Sequence, residues 1–114
     1  KAVFYDFGEF RLDVMNCRLL KNGTPVQITH KSFEILHELI EKRDRMLRKE
    51  ELLNKIWNDC YVEEATLTQH IYMLRKVLQQ NGNVYIETIP KNGYRFVASV
   101  REVLPETENL NETN

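Results

Sequence analysis

The chain has 114 residues, of which 42% are hydrophobic and 29% are charged, and its formal net charge is −1. This length suits one domain with its own core, and the composition is that of an ordinary globular protein. No apolar run reaches the ~18 residues of a membrane span, and the first residues do not resemble a signal peptide.

The cysteines and histidines favour neither a metal site nor a disulfide scaffold. Cys17 and Cys60 are too few for a scaffold, so we interpret them as free thiols in a reducing compartment. No cysteine lies at a finger-like interval from a histidine. The sequence also lacks a nucleophile–base pair and a glycine-rich phosphate loop. We therefore predict no metal, no cofactor and no enzymatic activity.

The first part of the chain, residues 4–28, is predicted to form three to four short antiparallel strands. Its short runs of alternating residues are VFYDFGEFRLD and CRLLKNGTPVQIT. Asn22 and Gly23 indicate a hairpin in the second run, because both residues tolerate the positive φ that primed turns require.

Three helices are predicted after these strands. The first begins at Thr29, whose hydroxyl can cap the first turn, and it carries a helical apolar stripe. The second spans residues 48–57, and because Arg48 is a poor N-cap we expect its start to be frayed. The third spans about residues 64–79 and stops at the glycine-containing segment 81–83.

The third helix separates apolar side chains from polar ones. Its apolar face consists of Leu67, Ile71, Leu74 and Leu78. Its opposite face holds Ala65, Thr68, Gln69, Tyr72, Met73 and Lys76, with Arg75 at one margin. His70 flanks the apolar face, and we interpret it as a packing residue and not a ligand.

Residues 84–100 are predicted to form a β-hairpin whose turn is centred near Lys91 and Asn92. Pro90 and Gly93 are expected to shape that turn. In the second strand one face holds Tyr94, Phe96, Ala98 and Val100, and the other holds Arg95, Val97 and Ser99. Two cations, one at the tip and one on the outer face, are therefore left for a partner.

The last segment, residues 102–114, is predicted to be an acidic disordered tail or linker. It has four glutamates, no cation and few apolar residues. Without these four acids the net charge rises from −1 to +3, so the predicted folded domain, residues 1–101, is mildly basic. A mildly basic domain is compatible with a polyanionic partner.

The order of these elements predicts an α+β fold with a small N-terminal sheet, three helices and a C-terminal hairpin. The last three elements would form a helix-turn-helix with a wing. The major groove of DNA, about 12 Å wide, admits one helix with its side chains. A hairpin directly after that helix can reach neighbouring phosphates or the minor groove. Double-stranded DNA is therefore the expected partner.

Four stretches carry a family resemblance: FGEFRLD, LRKEELLNKIW, LTQHIYMLRKVL and YIETIPKNGYRFVA. Over residues 7–98 the sequence resembles the winged-helix DNA-binding domains of the OmpR/PhoB class, in particular those of CadC- and ToxR-like regulators. The resemblance implies sequence-specific DNA binding for a bacterial transcriptional regulator. It places helix 64–79 in the major groove and hairpin 84–100 on the phosphates or in the minor groove.

The resemblance also implies roles for individual residues. The positions that match base-contacting residues are Thr68, Gln69, Tyr72 and Met73. The positions that match phosphate or wing contacts are Thr66, Arg75, Lys76, Thr88, Lys91, Asn92 and Arg95. The loop before the third helix matches a segment that touches RNA polymerase, and its residues include Asn58, Asp59, Tyr61 and Glu63. RNA polymerase and a second copy of the chain on DNA are accordingly expected as further partners.

Tyr72 and Met73 depart from the family pattern, which often has arginines at these positions. Arginine bonding to guanine is the commonest specific base contact, so its absence favours a site rich in A·T pairs. The same absence, with the low net charge, supports an alternative in which the winged helix binds a protein and not DNA. Other roles stay open for single residues: Tyr72 packing on the sheet or wing, Met73 filling a gap, and Arg75 in a surface ion pair.

The sequence after the hairpin favours a longer protein. The segment PETENLNETN looks like a linker that leads onward, which indicates a one-component regulator with a sensor beyond it. A receiver domain before Lys1, as in two-component signalling, is equally compatible with the sequence. In either arrangement this domain is expected in the cytoplasm, including as the cytoplasmic part of a membrane-anchored regulator.

Overall fold

The computed structural model describes residues 1–79 and 82–105, which form two compact units. The first unit contains residues 1–26 and the chain from Ser99 onward, and the second contains residues 27–98. Helices and antiparallel sheets are both present, which confirms the predicted α+β class. Within the described residues, no helix combines the length and the apolar character that crossing a membrane requires.

The first unit is a five-stranded antiparallel sheet. Its strands are β1 (Phe4–Phe7), β2 (Phe10–Asp13), β3 (Arg18–Lys21), β4 (Thr24–Val26) and β8 (Arg101–Val103). They lie in the order β4-β3-β2-β1-β8. The predicted hairpin turn is confirmed, because Asn22 and Gly23 have φ of 50° and 84° between the paired residues Lys21 and Thr24.

Strand β8 corrects the predicted start of the acidic tail. Glu102 pairs with Tyr5 and Val103 pairs with Phe4, so these two residues belong to the sheet. Local composition could not show this, because a three-residue strand depends on its neighbouring strand more than on its own propensity. Residues 106–114, most of the predicted tail, lie outside the described residues, and for them the tail stays a prediction.

The second unit combines three helices with a three-stranded antiparallel sheet. Its elements are α1 (His30–Glu41), β5 (Leu47–Arg48), α2 (Lys49–Ile56), α3 (Glu64–Leu78), β6 (Ile86–Ile89) and β7 (Gly93–Phe96). The sheet has the order β5-β7-β6. Helix α1 begins as predicted, since the Ser32 N–H donates to the Thr29 hydroxyl at 3.1 Å. The buried side chains of the helices include Phe33, Leu36, Ile40, Leu52, Ile56, Leu67, Ile71 and Leu74.

The start of α2 is held by strand pairing, and the expectation that it is frayed is wrong. Arg48 pairs with Gly93 of β7, so the backbone is already fixed where the helix begins. The Arg48 N–H also donates to the Glu51 carboxylate at 3.1 Å. The Arg45 guanidinium, followed by this backbone bond, lowers the pKa of Glu51 to about 2. The Glu51 carboxylate thus makes the reciprocal half of a capping box, which fixes the backbone N–H of the N-cap residue Arg48.

Gly93 is required by the close approach of two strands, and not by the turn that it was expected to shape. A Cβ at this position would lie 1.9 Å from the Leu47 carbonyl oxygen of β5. The positive φ of the turn belongs to Lys91, at 67°. The Asn92 N–H donates to the Ile89 carbonyl at 2.9 Å, so the turn lies where it was predicted, with Pro90 and Lys91 as its central residues.

Candidate nucleic-acid interface

Helix α3 presents a polar face to solvent because its apolar residues are spaced to fall on the other side. The residues Leu67, Ile71, Leu74 and Leu78 are buried, as their spacing predicts. All four residues predicted to contact bases are exposed, namely Thr68, Gln69, Tyr72 and Met73. These four side chains lie on two successive helical turns and form one surface, which we call the α3 face.

Tyr72 and Met73 make the centre of the α3 face apolar. The Tyr72 side chain is 54% exposed and that of Met73 is 48% exposed. The Lys76 ammonium lies 5.5 Å from the centre of the Tyr72 ring, which is a cation–π distance. Met73 also lines a groove of about 500 Å³ beside the start of α1. The centre of the face therefore offers aromatic and thioether surface with a cation at one side.

The hairpin of β6 and β7, which we call the wing, carries cations at its tip and along its outer face. Lys91 at the tip is exposed, and Arg95 is exposed between the buried rings of Tyr94 and Phe96. This alternation follows from the two-residue period of a strand. Among the described residues neither cation has an ion pair, so both charges are available to a phosphate. The Asn92 amide donates to the Pro90 carbonyl at 3.3 Å and so belongs to the turn itself.

Arg75 and Thr88, both predicted to contact phosphate, are bonded to each other. The Arg75 Nη2 donates to the Thr88 hydroxyl at 2.6 Å and to the Ile86 carbonyl at 2.9 Å. Its Nε donates to the same carbonyl at 3.3 Å. The guanidinium carbon lies 5.9 Å from the centre of the Tyr94 ring. Arg75 is therefore bonded to the wing. No local sequence pattern indicates these partners, because they lie in a separate element.

His70 lies where α3 meets α1. Its Nδ1 is 2.9 Å from the Ser32 hydroxyl oxygen, and its ring centre is 5.5 Å from that of Trp57. Burial, followed by the charge of Lys31, lowers the pKa of His70. Both effects favour the neutral imidazole, and this geometry agrees with the packing role expected for His70.

Lys49 makes a connection that sequence reasoning missed. Its ammonium donates to the Glu64 carboxylate at the start of α3, at 2.7 Å, and this bond raises the pKa of Lys49. Its backbone N–H donates to the Asn92 carbonyl in the wing turn at 3.1 Å. One residue thus links α2 both to α3 and to the wing. Because the partners lie in separate elements, helical or strand periodicity could not have revealed it.

The loop between α2 and α3 is open to solvent. The residues predicted to face RNA polymerase, which are Asn58, Asp59, Tyr61 and Glu63, are all exposed. Tyr61 is 89% exposed, which is unusual for an aromatic ring. Thr66 is half-buried in the first turn of α3, where its N–H donates to the Glu63 carbonyl at 2.9 Å.

Known proteins with similar sequences define the family of this chain. The family model described as "Transcriptional regulatory protein, C terminal" matches residues 23–96. The transcriptional regulator HilA of Salmonella typhi is 37% identical over 100 residues, covering 87% of this chain and 18% of HilA. The phosphate regulon transcriptional regulatory protein PhoB of Escherichia coli K12 is 33% identical over 87 residues, covering 75% of this chain and 38% of PhoB. The chain therefore spans less than half the length of these relatives.

Solved structures agree with this result. The DNA-binding domain of E. coli CadC superposes with a TM-score of 0.78 and 26% identity. The superposition covers 90% of this chain and 97% of the chain of that domain. The response regulator DrrB, a Thermotoga maritima OmpR/PhoB homolog, gives a TM-score of 0.75 and 30% identity, covering 82% of this chain and 44% of DrrB's. The three helices, the exposed α3 face and the wing that follows it together form a winged helix-turn-helix fold. The chain belongs to the family of transcriptional regulatory protein C-terminal domains of the OmpR/PhoB type, which confirms the resemblance drawn from its sequence.

Proposed function

We propose that this chain is the DNA-binding domain of a bacterial transcriptional regulator and that it binds double-stranded DNA sequence-specifically. Helix α3 enters the major groove, and the wing lies on the phosphates or in the minor groove. The observation that carries this proposal is the exposed α3 face directly followed by a hairpin with the exposed cations Lys91 and Arg95. Such a helix reads base edges, while cations beside it hold the backbone.

Phosphate contacts supply the affinity. We assign them to Thr66, Lys76, Lys91, Asn92 and Arg95. The cations among these residues are exposed, and neutralising phosphates with them releases counterions from the DNA. With three cationic contacts for each bound copy, the logarithm of the binding constant should fall with the logarithm of salt concentration with a slope of about −3 per copy.

Base contacts on the α3 face favour A·T pairs. Gln69 can bond an adenine edge through its amide, and Thr68 and Met73 can touch a thymine methyl group. Tyr72 adds an exposed ring at the centre, where an arginine would otherwise select guanine. The preferred half-site should therefore be A/T-leaning with few required guanines.

Two further partners belong to the same proposal. We propose RNA polymerase as a partner of the exposed loop that holds Tyr61, since an exposed aromatic ring suits a protein interface. A second copy of the chain should bind an adjacent half-site about one helical turn away, because one domain with a low net charge makes few contacts. The domain acts in the cytoplasm within a longer regulator, whose signal enters through a sensor or receiver domain.

An unbiased selection of bound DNA from a random duplex library tests the function directly. We expect an A/T-leaning motif, repeated at a spacing of about 10–11 base pairs. A motif dominated by guanines would contradict the proposed readout. Failure to enrich any sequence at low salt would contradict the function.

Protein binding without DNA binding is the second candidate. It is favoured by the half-exposed apolar centre formed by Tyr72 and Met73 and by the net charge of −1. A gel shift at low salt on the enriched duplexes separates the two candidates. DNA binding by the wild type, weakened in the double variant Lys91→Ala/Arg95→Ala, supports the DNA-binding function. Absence of a shift for both proteins favours the protein-binding candidate.

A further inference from the structure

Arg75 is held by the wing at three donor–acceptor contacts. Two reach the Ile86 carbonyl and one reaches the Thr88 hydroxyl, and both acceptors lie on β6. The Tyr94 ring of β7 lies at 5.9 Å from the guanidinium carbon. Arg75 itself is half-buried in the last turn of α3. One side chain therefore ties the end of α3 to both strands of the wing.

The Ile86 carbonyl, which accepts two of these bonds, lies on the open edge of the sheet. In the described residues β6 pairs with β7 alone, because the sheet order is β5-β7-β6. Tyr85 accepts from the Val97 N–H, so its carbonyl points toward the second half of the hairpin. Successive residues of an antiparallel strand direct their hydrogen-bonding groups to opposite edges. The Ile86 carbonyl accordingly points away from β7, where Arg75 supplies the donors that a neighbouring strand would supply.

We propose that Arg75 is a positioning residue that fixes the wing relative to α3, and that it contributes to DNA binding through the wing and not through a phosphate. This inference rests on the proposed function of the domain. The planar guanidinium suits the task because it donates to two acceptors in a fixed fork, which an ammonium cannot do. The fixed position of the wing then determines the distance between the α3 face and the cations Lys91 and Arg95.

Preorganisation is the physical reason for an effect on binding. A wing that is free to move relative to α3 must be ordered when both elements engage DNA, and that ordering weakens association. Loss of a charged hydrogen-bond donor of this kind should weaken binding about tenfold. Thr88 acts through the same contact, so replacing both residues should cost little more than replacing Arg75 alone.

Amide hydrogen exchange in the free protein tests the positioning role without DNA. We expect Arg75→Ala to accelerate exchange of the Lys49 amide, which donates from α2 to the Asn92 carbonyl of the wing turn, and to leave the Trp57 amide at the end of α2 unchanged. Lys76→Ala is the matched control, since it removes the neighbouring cation of the same helix and should leave Lys49 exchange as in the wild type. Unaltered Lys49 exchange in Arg75→Ala overturns the proposal.

DNA affinity on an enriched duplex completes the test. We expect Arg75→Ala and Arg75→Lys both to bind about tenfold more weakly, because lysine keeps the charge and loses the fork. Thr88→Val should weaken binding in the wild-type background and add little to Arg75→Ala. Wild-type affinity in Arg75→Lys, or in Arg75→Ala despite faster exchange, overturns the proposal. If the wild type itself binds no DNA, the proposed function fails, while the exchange data still decide whether Arg75 holds the wing.

Discussion

The α3 face and the wing differ in charge and in how each is held. The four central side chains of the α3 face carry no charge, and the helix is fixed by a row of buried leucine and isoleucine residues. The wing exposes Lys91 and Arg95. It is fixed by the buried rings of Tyr94 and Phe96, and in addition by pairing with β5 and by the bonds from Arg75. The centre of the α3 face is thus uncharged, whereas the wing is cationic and is held by strand pairing and by Arg75 in addition to its buried side chains.

In the proposed function this difference gives the two surfaces separate tasks. Charge neutralisation is independent of sequence, so the cations of the wing would contribute affinity for any duplex. Hydrogen bonds and methyl contacts from the α3 face depend on the base pair, so they would contribute discrimination. In a domain without arginine at the centre of this face, the wing should carry a large share of the binding free energy.

The largest expected effect comes from separating the wing from β5. Gly93→Ala places a Cβ 1.9 Å from the Leu47 carbonyl oxygen, so the strands must move apart. We expect the free energy of unfolding in urea to fall by about 3 kcal/mol. Gly82→Ala is the matched control, because its φ of 76° gives strain but no atom lies within 4 Å. It should cost about 1 kcal/mol, and an equal loss in the two variants would contradict the close-approach explanation.

The next effect concerns discrimination by the α3 face. Met73→Arg introduces the guanidinium that can bond guanine at the centre of this face, with about 1–3 kcal/mol of preference over the other bases. Repeating the DNA selection with this variant should return a guanine that the wild-type motif lacks. Met73→Leu, which keeps an apolar side chain, should return the wild-type motif. An unchanged motif for Met73→Arg would show that position 73 does not face the bases.

The wing cations should have smaller individual effects, visible in the salt dependence. Lys91→Ala and Arg95→Ala should each reduce the magnitude of the log–log salt slope by about 1 and weaken binding about fivefold at moderate salt. Fluorescence anisotropy titrations at several salt concentrations measure both quantities. Lys55→Ala, which removes an exposed cation of α2 with no assigned role, should leave the slope as it is.

The smallest expected effect is the pH dependence of stability that His70 contributes where α3 packs against α1. Burial and Lys31 lower the folded-state pKa of His70 from its ordinary 6.5, so protonation favours the unfolded chain. The contribution of the neutral imidazole is complete above pH 6.5 and is lost as the pH falls below that value. We expect the free energy of unfolding to decrease between about pH 7 and pH 5 and His70→Asn to remove part of that decrease. A decrease of the same size in His70→Asn would assign it to other groups.

Local patterns predicted the parts of the molecule that depend on near neighbours. The 3.6-residue spacing of Leu67, Ile71 and Leu74 identified the buried face of α3, and with it the exposed one. Asn22 and Gly23 identified a turn because their backbone preference is local.

Contacts between distant segments could not be predicted in this way. The two-residue strand β5 exists because Leu47 pairs with Tyr94, and β8 exists because of its pairing with β1. The engagement of Arg75 with β6 likewise depends on how α3 and the wing come together. Such elements are stabilised by their partners, so their own residues carry little signal.

The division of tasks between helix and wing is tested most directly by one set of affinities. It compares the wild type, Lys91→Ala/Arg95→Ala and Tyr72→Ala/Met73→Ala on an enriched duplex and on a scrambled duplex of equal length. We predict that the wing variant weakens binding to both duplexes by the same factor, which leaves their affinity ratio unchanged, whereas the α3 variant lowers that ratio. Wild-type affinity in the wing variant at moderate salt, or an unchanged ratio in the α3 variant, would contradict the account.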